Sequence, residues 1–152
     1  MAAGDILKEA LLVIEPFTVK ANEDIEKGEL CVDDGNGILA ATAALATAGK
    51  AVMALEAHDY SETTDHAIEC VVVGYVEAQK VTGSGAARKG DKLTISTTAG
   101  EVTKFVKGDA PASYAEATMQ TALDTNLGVV GTAMATSLDA DTTQKLLLGV
   151  IG

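Results

Sequence analysis

Two stretches of this chain repeat one pattern: residues 25–39 read "IEKGELCVDDGNGIL" and residues 87–102 read "ARKGDKLTISTTAGEV". Each has a lysine–glycine–acid step, a short alternation of apolar and polar residues, a glycine-containing turn and a further apolar step. Glycine gives the backbone the freedom that a tight turn needs, and the alternation is typical of a β-strand with one buried face. Neither copy contains an obvious catalytic residue. The pattern therefore predicts a repeated architectural unit.

The likeness between the two halves continues along the chain. Ala54 matches Ala133 and Gly74 matches Gly149, in the same order in both halves. One four-stranded unit is too small to cover both of its faces, but two such units can close over a shared core. The expected fold is all-β, a compact barrel or sandwich of about eight strands from two related halves, with one short inserted helix and an N-terminal arm. The single β-rich domain is placed at residues 17–152, with pseudo-repeats 17–78 and 79–152.

The inserted helix is predicted at residues 113–124, where Ser113 and Glu116 form a capping box for the first turn and apolar residues recur on one face. Residues 1–16 precede the first copy and are assigned to the N-terminal arm. Within the arm, the apolar spacing of residues 5–14 fits a helix and equally fits an extended segment, and both alternatives stay open.

Composition excludes several classes of function. The chain of 152 residues carries 22 acidic and 11 basic residues, a net charge of −11, and its densest basic pair is Arg88-Lys89. Binding to nucleic acid or to an anionic membrane needs basic clusters that are missing from this sequence. No apolar run reaches the ~18 residues of a membrane span, and acidic and basic residues interrupt the N-terminus where a signal peptide is apolar. We expect synthesis in the cytoplasm.

The residues with chemical potential favour structural interpretations. Cys31 and Cys70 lie in apolar strand-like runs, which favours buried free thiols, with a single disulfide as the alternative. The two histidines, His58 and His66, flank an acidic loop that contains the best metal or acid–base constellation available. Their spacing matches no metal motif, so a solvated, mobile connection between two strands is favoured.

Two glycine-rich stretches also lack the spacing of a site. "DDGNG" (33–37) does not have the spacing of a calcium loop and fits a hairpin turn. "GSGAARKG" (83–90) is not a phosphate-binding loop and fits a flexible link between the halves. No nucleophile elbow occurs. The sequence therefore predicts no enzyme, no catalytic residue, no cofactor and no metal ligand.

The order "KGELCVDDGNGIL", "GKAVMALEA" and "ECVVVGYVEA", with its echo in the second half, resembles the bacteriophage capsid cement proteins, which decorate the outside of viral heads. The likeness covers residues 17–151 and depends on the order and duplication of glycines and small apolar residues. The resemblance implies a structural protein of the virion, located on the outer surface of the capsid after synthesis in the host cytoplasm. Its implied partners are the major capsid protein and two further copies of itself, as a homotrimer that stabilises the expanded head.

Two segments are candidates for these contacts. The apolar stretch "ALLVIEPF" (10–17) precedes the first repeat and has no counterpart in the second half, so it is the first candidate for the capsid or subunit contact. The inserted helix is the second candidate, and packing of this helix on its own domain is the alternative. The contact residues expected in the first segment are Leu11, Leu12, Val13, Ile14, Pro16 and Phe17, and those in the helix are Tyr114, Met119 and Leu123.

Two other functions compete with this hypothesis. "ANEDIEKGELCVDD" (21–34) also resembles the start of small β-clip domains, which implies a monomeric ligand-binding or interaction module with a cleft. That interpretation leaves the second copy unexplained. A metal-dependent enzyme that uses His58 and His66 is the more distant alternative.

Overall fold

A computed structural model describes residues 3–42, 51–106, 115–120 and 128–149, with side chains described outside residues 6–11. These residues form one open, curled antiparallel sheet, a half-barrel, with one short helix at residues 116–120. The all-β class expected from the sequence is confirmed. The strands are β1 (Ile6–Thr18), β2 (Leu30–Asp33), β3 (Ile38–Ala40), β4 (Val52–Ala54), β5 (Ala67–Gln79), β6 (Lys92–Ile95), β7 (Val102–Lys104), β8 (Val129–Ala133) and β9 (Thr143–Leu148).

The strand order displays the duplication. Along the sheet it is β3-β2-β4-β5-β9-β8-β6-β7, and β1 pairs with β5 in addition. The first four strands and the last four therefore have the same internal order, and the two sets meet where β5 pairs with β9. Six residue pairs join the halves there, from Gly74 opposite Leu148 to Gln79 opposite Thr143.

Two backbone hydrogen bonds beside the repeated lysine–glycine step recur in both halves. The amide of Gly28 donates to Ala54 O at 2.9 Å, and the amide of Gly90 donates to Ala133 O at 2.8 Å. In each half the same two chain segments are also joined by a backbone hydrogen bond in the opposite direction, which the amide of this alanine donates to the carbonyl oxygen of the residue after the glycine. The sequence matches of Gly28 with Gly90 and of Ala54 with Ala133 are thus also matches of position in the sheet.

The match of Gly74 with Gly149 is wrong by one residue. Ala54 lies opposite Cys70, and its counterpart Ala133 lies opposite Leu146, so Cys70 and Leu146 are equivalent. Gly149 has a φ of +76° just after β9, whereas Gly74 lies within β5. The two glycines therefore meet different backbone requirements, a turn conformation and a strand interior.

The N-terminal segment is extended, which resolves the alternative left open by its apolar spacing. Strand β1 runs antiparallel to β5, from Ile6 opposite Val76 to Thr18 opposite Ala67. Its pairing shifts register three times: between Ile6 and Lys8, between Lys8 and Val13, and between Val13 and Ile14. The boundary drawn from sequence between an arm and a β domain, at residues 16 and 17, falls within this strand.

Two clusters of buried apolar side chains stabilise the sheet. The main core is built by both halves, and the second core belongs to the first half alone. The main core includes Leu30, Val32, Met53, Val71, Val76, Leu93, Ile95, Val130, Leu146 and Leu148. The second core includes Val19, Ile25, Cys31, Ile38, Val52, Ile68 and Cys70.

A turn of the second half contacts the first half. Gly100, between β6 and β7, accepts a hydrogen bond from the amide of Leu30 at 2.8 Å and donates to Ala41 O at 2.9 Å. An added Cβ at Gly100 would lie 2.9 Å from the side chain of Glu29. Gly100 also has a φ of +77°, a conformation that residues with a side chain rarely adopt, so glycine suits this turn.

The "DDGNG" stretch forms the predicted hairpin turn between β2 and β3. Asp33 Oδ1 accepts a hydrogen bond from Gly35 N at 2.7 Å, and Asp34 Oδ1 accepts one from Asn36 N at 2.9 Å. The ammonium of Lys20 donates to Asp34 Oδ2 at 2.7 Å, and this bond lowers the pKa of the Asp34 carboxyl and raises that of Lys20. These carboxylates orient the turn through its own backbone, which is the usual role of aspartate in turns.

Both cysteines are buried in the second core and neither is bonded to the other, so the expectation of buried free thiols is confirmed. Burial raises the pKa of the Cys31 thiol well above its ordinary value and raises that of Cys70 to about 12. Both thiols are therefore protonated, and weakly reactive, at neutral pH.

We expect truncation of the main core to destabilise the protein strongly. Leu146→Ala removes a fully buried side chain from β9, the strand that joins the two halves by pairing with β5. Large-to-small changes at such sites lower the free energy of unfolding by about 2–5 kcal/mol. Leu138→Ala is the matched control, because 65% of Leu138 is exposed and its truncation should change stability by less than about 0.5 kcal/mol. Urea denaturation of both variants measures the difference. Equal effects would contradict the assignment of the core.

Thiol reactivity and alkaline stability test the second core. At pH 8 we expect a colorimetric thiol reagent to label neither cysteine in the native protein and both in urea, because each thiol is buried and protonated. In the unfolded chain the thiols ionise from about pH 9, whereas the folded Cys70 thiol stays protonated towards pH 12 and burial raises the pKa of the folded Cys31 thiol well above its ordinary value. Their contribution to stability is therefore complete below pH 9 and is lost as pH rises through this window. Rapid labelling of the native protein would contradict this arrangement.

Candidate functional site

The N-terminal strand presents the apolar surface that the sequence nominated for contacts. Val13 and Ile14 are 43% and 39% exposed, and Pro16 is exposed beside them. In a regular strand consecutive side chains point to opposite faces. The register shift between Val13 and Ile14 breaks that alternation, and both of these large apolar side chains are left exposed. We call Val13, Ile14 and Pro16 the β1 surface.

The residues next to the β1 surface are held by the protein itself. Leu12 is half-buried and packs against the main core, and Phe17 packs against the second core. The strand between them pairs with β5, with Ile14 opposite Val71 and Pro16 opposite Glu69. Of the residues nominated from sequence, two therefore anchor the strand and three remain exposed. The side chain of Leu11 lies outside the described residues.

The inserted helix is described at residues 115–120 only. Met119 is exposed on this helix, and Thr118 Oγ1 donates to Ala115 O at 2.7 Å within the first turn. Tyr114 and Leu123, the other two candidate interface residues, lie outside the described residues. The interface role of the helix stays a prediction.

The two histidines lie together. The loop between β4 and β5 is exposed at Asp59 and at residues 61–65, as expected, but the expectation of a solvated position is wrong for His58. His58 is buried, and its Nε2 lies 3.1 Å from His66 Nδ1, within hydrogen-bond distance. The ring of Tyr60 stacks on that of His66 with 3.9 Å between centroids. The sequence reveals neither contact, because the two histidines are eight positions apart and meet only when the loop folds back on itself.

Backbone bonds explain why the histidine pair is ordered. His58 exchanges two hydrogen bonds with Ile25, at 2.8 and 2.9 Å, and His66 O accepts one from Val19 N at 2.7 Å. Tyr60 N donates to Asp24 Oδ1 at 2.9 Å. The pair thus fastens the segment between β1 and β2 to the start of β5, which is a structural role.

The acidic residues of this loop bond to the loop itself. The Ser61 hydroxyl and amide both donate to Asp59 Oδ1, at 2.7 and 2.9 Å, and these bonds lower the pKa of the Asp59 carboxyl. Within the described part of the chain, no group of three or more His, Cys, Asp or Glu side chains is arranged to hold a metal ion. The loop therefore offers two adjacent imidazoles and no third protein ligand.

A polar cavity of about 740 Å³ lies where the two halves meet. Residues of both repeats line it, among them Glu26, Gln79, Lys80, Glu101 and Thr143. Lys80 is buried, and its ammonium donates to Val81 O at 3.1 Å and to Asp139 O at 3.4 Å. The carbonyl oxygens thus stabilise a buried cation, and the cavity offers carboxylates, an amide and hydroxyls to a polar ligand.

A second cavity, of about 340 Å³, shares Thr142 and Thr143 with the first and is also lined by Glu77 and Lys145. Glu77 is buried; its Oε1 accepts a hydrogen bond from the Thr143 hydroxyl at 2.5 Å, and its Oε2 has no partner among the described residues. Lys145 lies directly opposite Glu77 in the β5–β9 ladder. The sequence did not identify these polar residues as a site. Each lies in or beside a strand, and only the pairing of strands in the sheet places it next to its polar neighbour.

No protein-family model, no curated protein and no solved structure matches the chain. No described helix has the length and apolar character needed to cross a membrane. The function is therefore inferred from the chain's own residues and geometry.

A double-mutant cycle measures the contact between the histidines. We expect His58→Ala and His66→Ala to be non-additive in the free energy of unfolding, with a coupling of about 0.5–1.5 kcal/mol, the usual net contribution of one hydrogen bond. Thr64→Ala combined with His58→Ala is the control, since Thr64 is an exposed residue of the same loop. Additive effects in the histidine cycle would show that the two rings do not interact.

Proposed function

We propose that the chain is a structural protein of a viral capsid, a decoration or cement protein that binds the outer surface of the major capsid protein lattice as a homotrimer and stabilises the expanded head. The observation that carries the proposal is the β1 surface. Two adjacent large apolar side chains are exposed on a strand that the sheet holds in place, in a chain whose net charge is −11. Exposed apolar surface on a fixed element is typical of protein–protein contact sites.

The placement of the β1 surface suits a repeated, non-covalent contact. Leu12 and Phe17 hold its two ends on the sheet, so binding needs little ordering of the chain and its entropic cost is small. A trimer presents three copies of the surface to a lattice of identical subunits. Modest contacts then add up through the effective concentration that each bound copy gives to the next.

The second candidate function is a ligand-binding or interaction module of the β-clip type. The polar cavity between the halves favours it, because carboxylates, an amide and hydroxyls converge there around a volume of about 740 Å³. This function predicts a monomer that binds a small polar molecule. The mass of the protein in solution distinguishes the two hypotheses, because the decoration protein is expected to be a trimer and the ligand-binding module a monomer.

We expect light scattering after size-exclusion chromatography to give three times the chain mass of 15.5 kDa, and the protein to cosediment with expanded heads of the virus that encodes it. Val13→Asp and Ile14→Asp each place a charge on the β1 surface and should weaken head binding by about tenfold or more. Val106→Asp is the matched control, because Val106 is 73% exposed and lies outside this surface.

These substitutions are preferable to deletion of residues 1–16, which would remove most of strand β1 together with the contact. Circular dichroism and thermal melting show whether each variant folds. Folded Val13→Asp and Ile14→Asp variants that bind heads as the parent does would exclude the β1 surface as the contact. A monomer that does not bind expanded heads would exclude the decoration function.

A further inference from the structure

The hydrogen bond between the two histidines joins ring nitrogens that face each other directly. His58 Nε2 and His66 Nδ1 are 3.1 Å apart and the ring centroids are 5.3 Å apart, so both nitrogens lie between the rings, close to the line that joins them. His58 is only 4% exposed, and the ring of Tyr60 stacks on His66 with 3.9 Å between centroids. We call His58 and His66 the histidine clasp.

The clasp forms only when at least one of its two rings is neutral. A neutral imidazole has one N–H donor and one acceptor nitrogen, whereas both nitrogens of a protonated imidazole donate. A hydrogen bond therefore forms between two neutral rings, and also between one protonated and one neutral ring. When both rings are protonated, two N–H groups and two positive charges face each other, and the contact becomes repulsive.

The charged groups around the clasp are mostly carboxylates. The bonds that the Ser61 hydroxyl and amide donate, together with the nearby ring of His58, hold the pKa of the Asp59 carboxyl below its usual value. Tyr60 is a further titratable side chain in contact with both rings. The other charged residues of the elements packed here are Lys20, Glu23 and Asp24 before β2, Glu56 after β4, Glu62 and Asp65 in the loop, and Glu69 in β5. The carboxylates favour a first proton on the clasp, and the direct contact of the rings opposes a second.

The clasp lies where three segments of the first half meet. His58 exchanges two backbone hydrogen bonds with Ile25, and His66 O accepts one from Val19 N at 2.7 Å. Val19 directly follows β1, and His66 directly precedes β5. Loss of the contact between the rings therefore loosens the junction between the end of β1, the segment that leads to β2 and the start of β5.

The second half contains the same backbone junction. Ala87 exchanges two backbone hydrogen bonds with Ser137, at 2.8 and 3.1 Å, and Lys80 N donates to Thr142 O at 2.8 Å. These bonds repeat those of the first half, with a serine and a threonine at the positions of the two histidines.

A contact without ionisable groups closes the junction of the second half. The Ser137 hydroxyl donates to Gln144 Oε1, and both residues are buried. Neither a hydroxyl nor an amide changes its charge near neutral pH. The chain therefore carries one junction that responds to protons and one equivalent junction that does not.

We propose that the histidine clasp is a proton-sensitive device, closed while its two rings hold at most one extra proton and open when both are protonated. In the open state each imidazole binds its proton independently, at about pH 6.5, so at low pH the open state binds more protons than the closed state. The contribution of the clasp to stability is therefore complete at neutral pH and is lost as pH falls below this value. Opening releases the end of β1 from the start of β5.

Amide hydrogen exchange of the full-length protein, followed by NMR, tests the clasp. Protection factors, corrected for the intrinsic exchange rate at each pH, are compared at about pH 7 and pH 5, on either side of the ordinary imidazole titration. We expect protection at Val19, Ile25 and His58 to fall by about tenfold or more, because the open state gains a proton that the closed clasp excludes. Global unfolding is a poorer measure, since burial raises the pKa of Glu29 and adds a separate pH dependence.

The amides of Lys80, Ala87 and Ser137 are the internal reference, and their protection should change by less than about twofold, because no ionisable contact closes their junction. Equal loss of protection in both halves, or unchanged protection at Val19 and Ile25, would overturn the proposal.

His58→Gln separates the clasp from other effects of acid. An amide side chain donates or accepts as required, so it bonds to His66 in either protonation state, and the pH dependence at Val19 and Ile25 should disappear. Thr64→Gln is the matched control, because Thr64 is an exposed residue of the same loop, and it should keep the pH dependence of the parent. A folded His58→Gln variant that loses protection as the parent does would exclude the clasp as the cause.

Ring chemical shifts of the parent protein decide the question independently of any variant. We expect the imidazole ¹⁵N shifts to show at most one proton added to the clasp while protection is intact, and a second proton only as protection falls. Two fully protonated rings with intact protection would overturn the proposal. None of these results depends on binding to capsids, so the clasp and the proposed function succeed or fail separately.

Discussion

The fold depends on one strand pairing, the antiparallel ladder between β5 and β9. It joins the two halves over six residue pairs, and its inward side chains Val76, Leu146 and Leu148 belong to the core that both halves build. Strand β5 also pairs with β1 and with β4. A half-barrel with small side chains gains little burial per residue. Its stability therefore depends on a long central strand, β5, that pairs with three neighbouring strands.

Duplication produced two units with the same hydrogen bonds and different surroundings. In the first half the end of β1 and the start of β5 contribute to a second core, and the N-terminal residues Ala3 and Gly4 cover the lysine–glycine turn. In the second half no described residue covers the equivalent turn at Gly90. A lysine, Lys80, occupies the position that Val19 holds in the first half, as their matching backbone bonds to Thr142 and His66 show. The unit that the sequence repeats is thus a backbone unit, and the surfaces around it have diverged.

Burial of polar groups where the halves meet follows from the same divergence. Glu77, Lys80 and Gln144 are buried beside the β5–β9 ladder and line polar cavities. A charged group in such a position is stable only when hydrogen bonds compensate its loss of water. The carbonyl oxygens around Lys80 and the hydroxyl beside Glu77 provide this compensation in part. The cavities are therefore polar, unlike the two cores.

The sequence alone determined the strands, the duplication and the hairpin turn, because apolar alternation and glycine placement act over a few residues and carry the same meaning in any fold. It also located the apolar N-terminal stretch and the buried cysteines. Only the tertiary structure decided which of those apolar residues are exposed, that His58 and His66 lie 3.1 Å apart, and that Gly28 is covered while no described residue covers Gly90. Each of these facts depends on contacts between segments that are distant along the chain and that the folded sheet brings together. A local sequence pattern does not indicate such contacts.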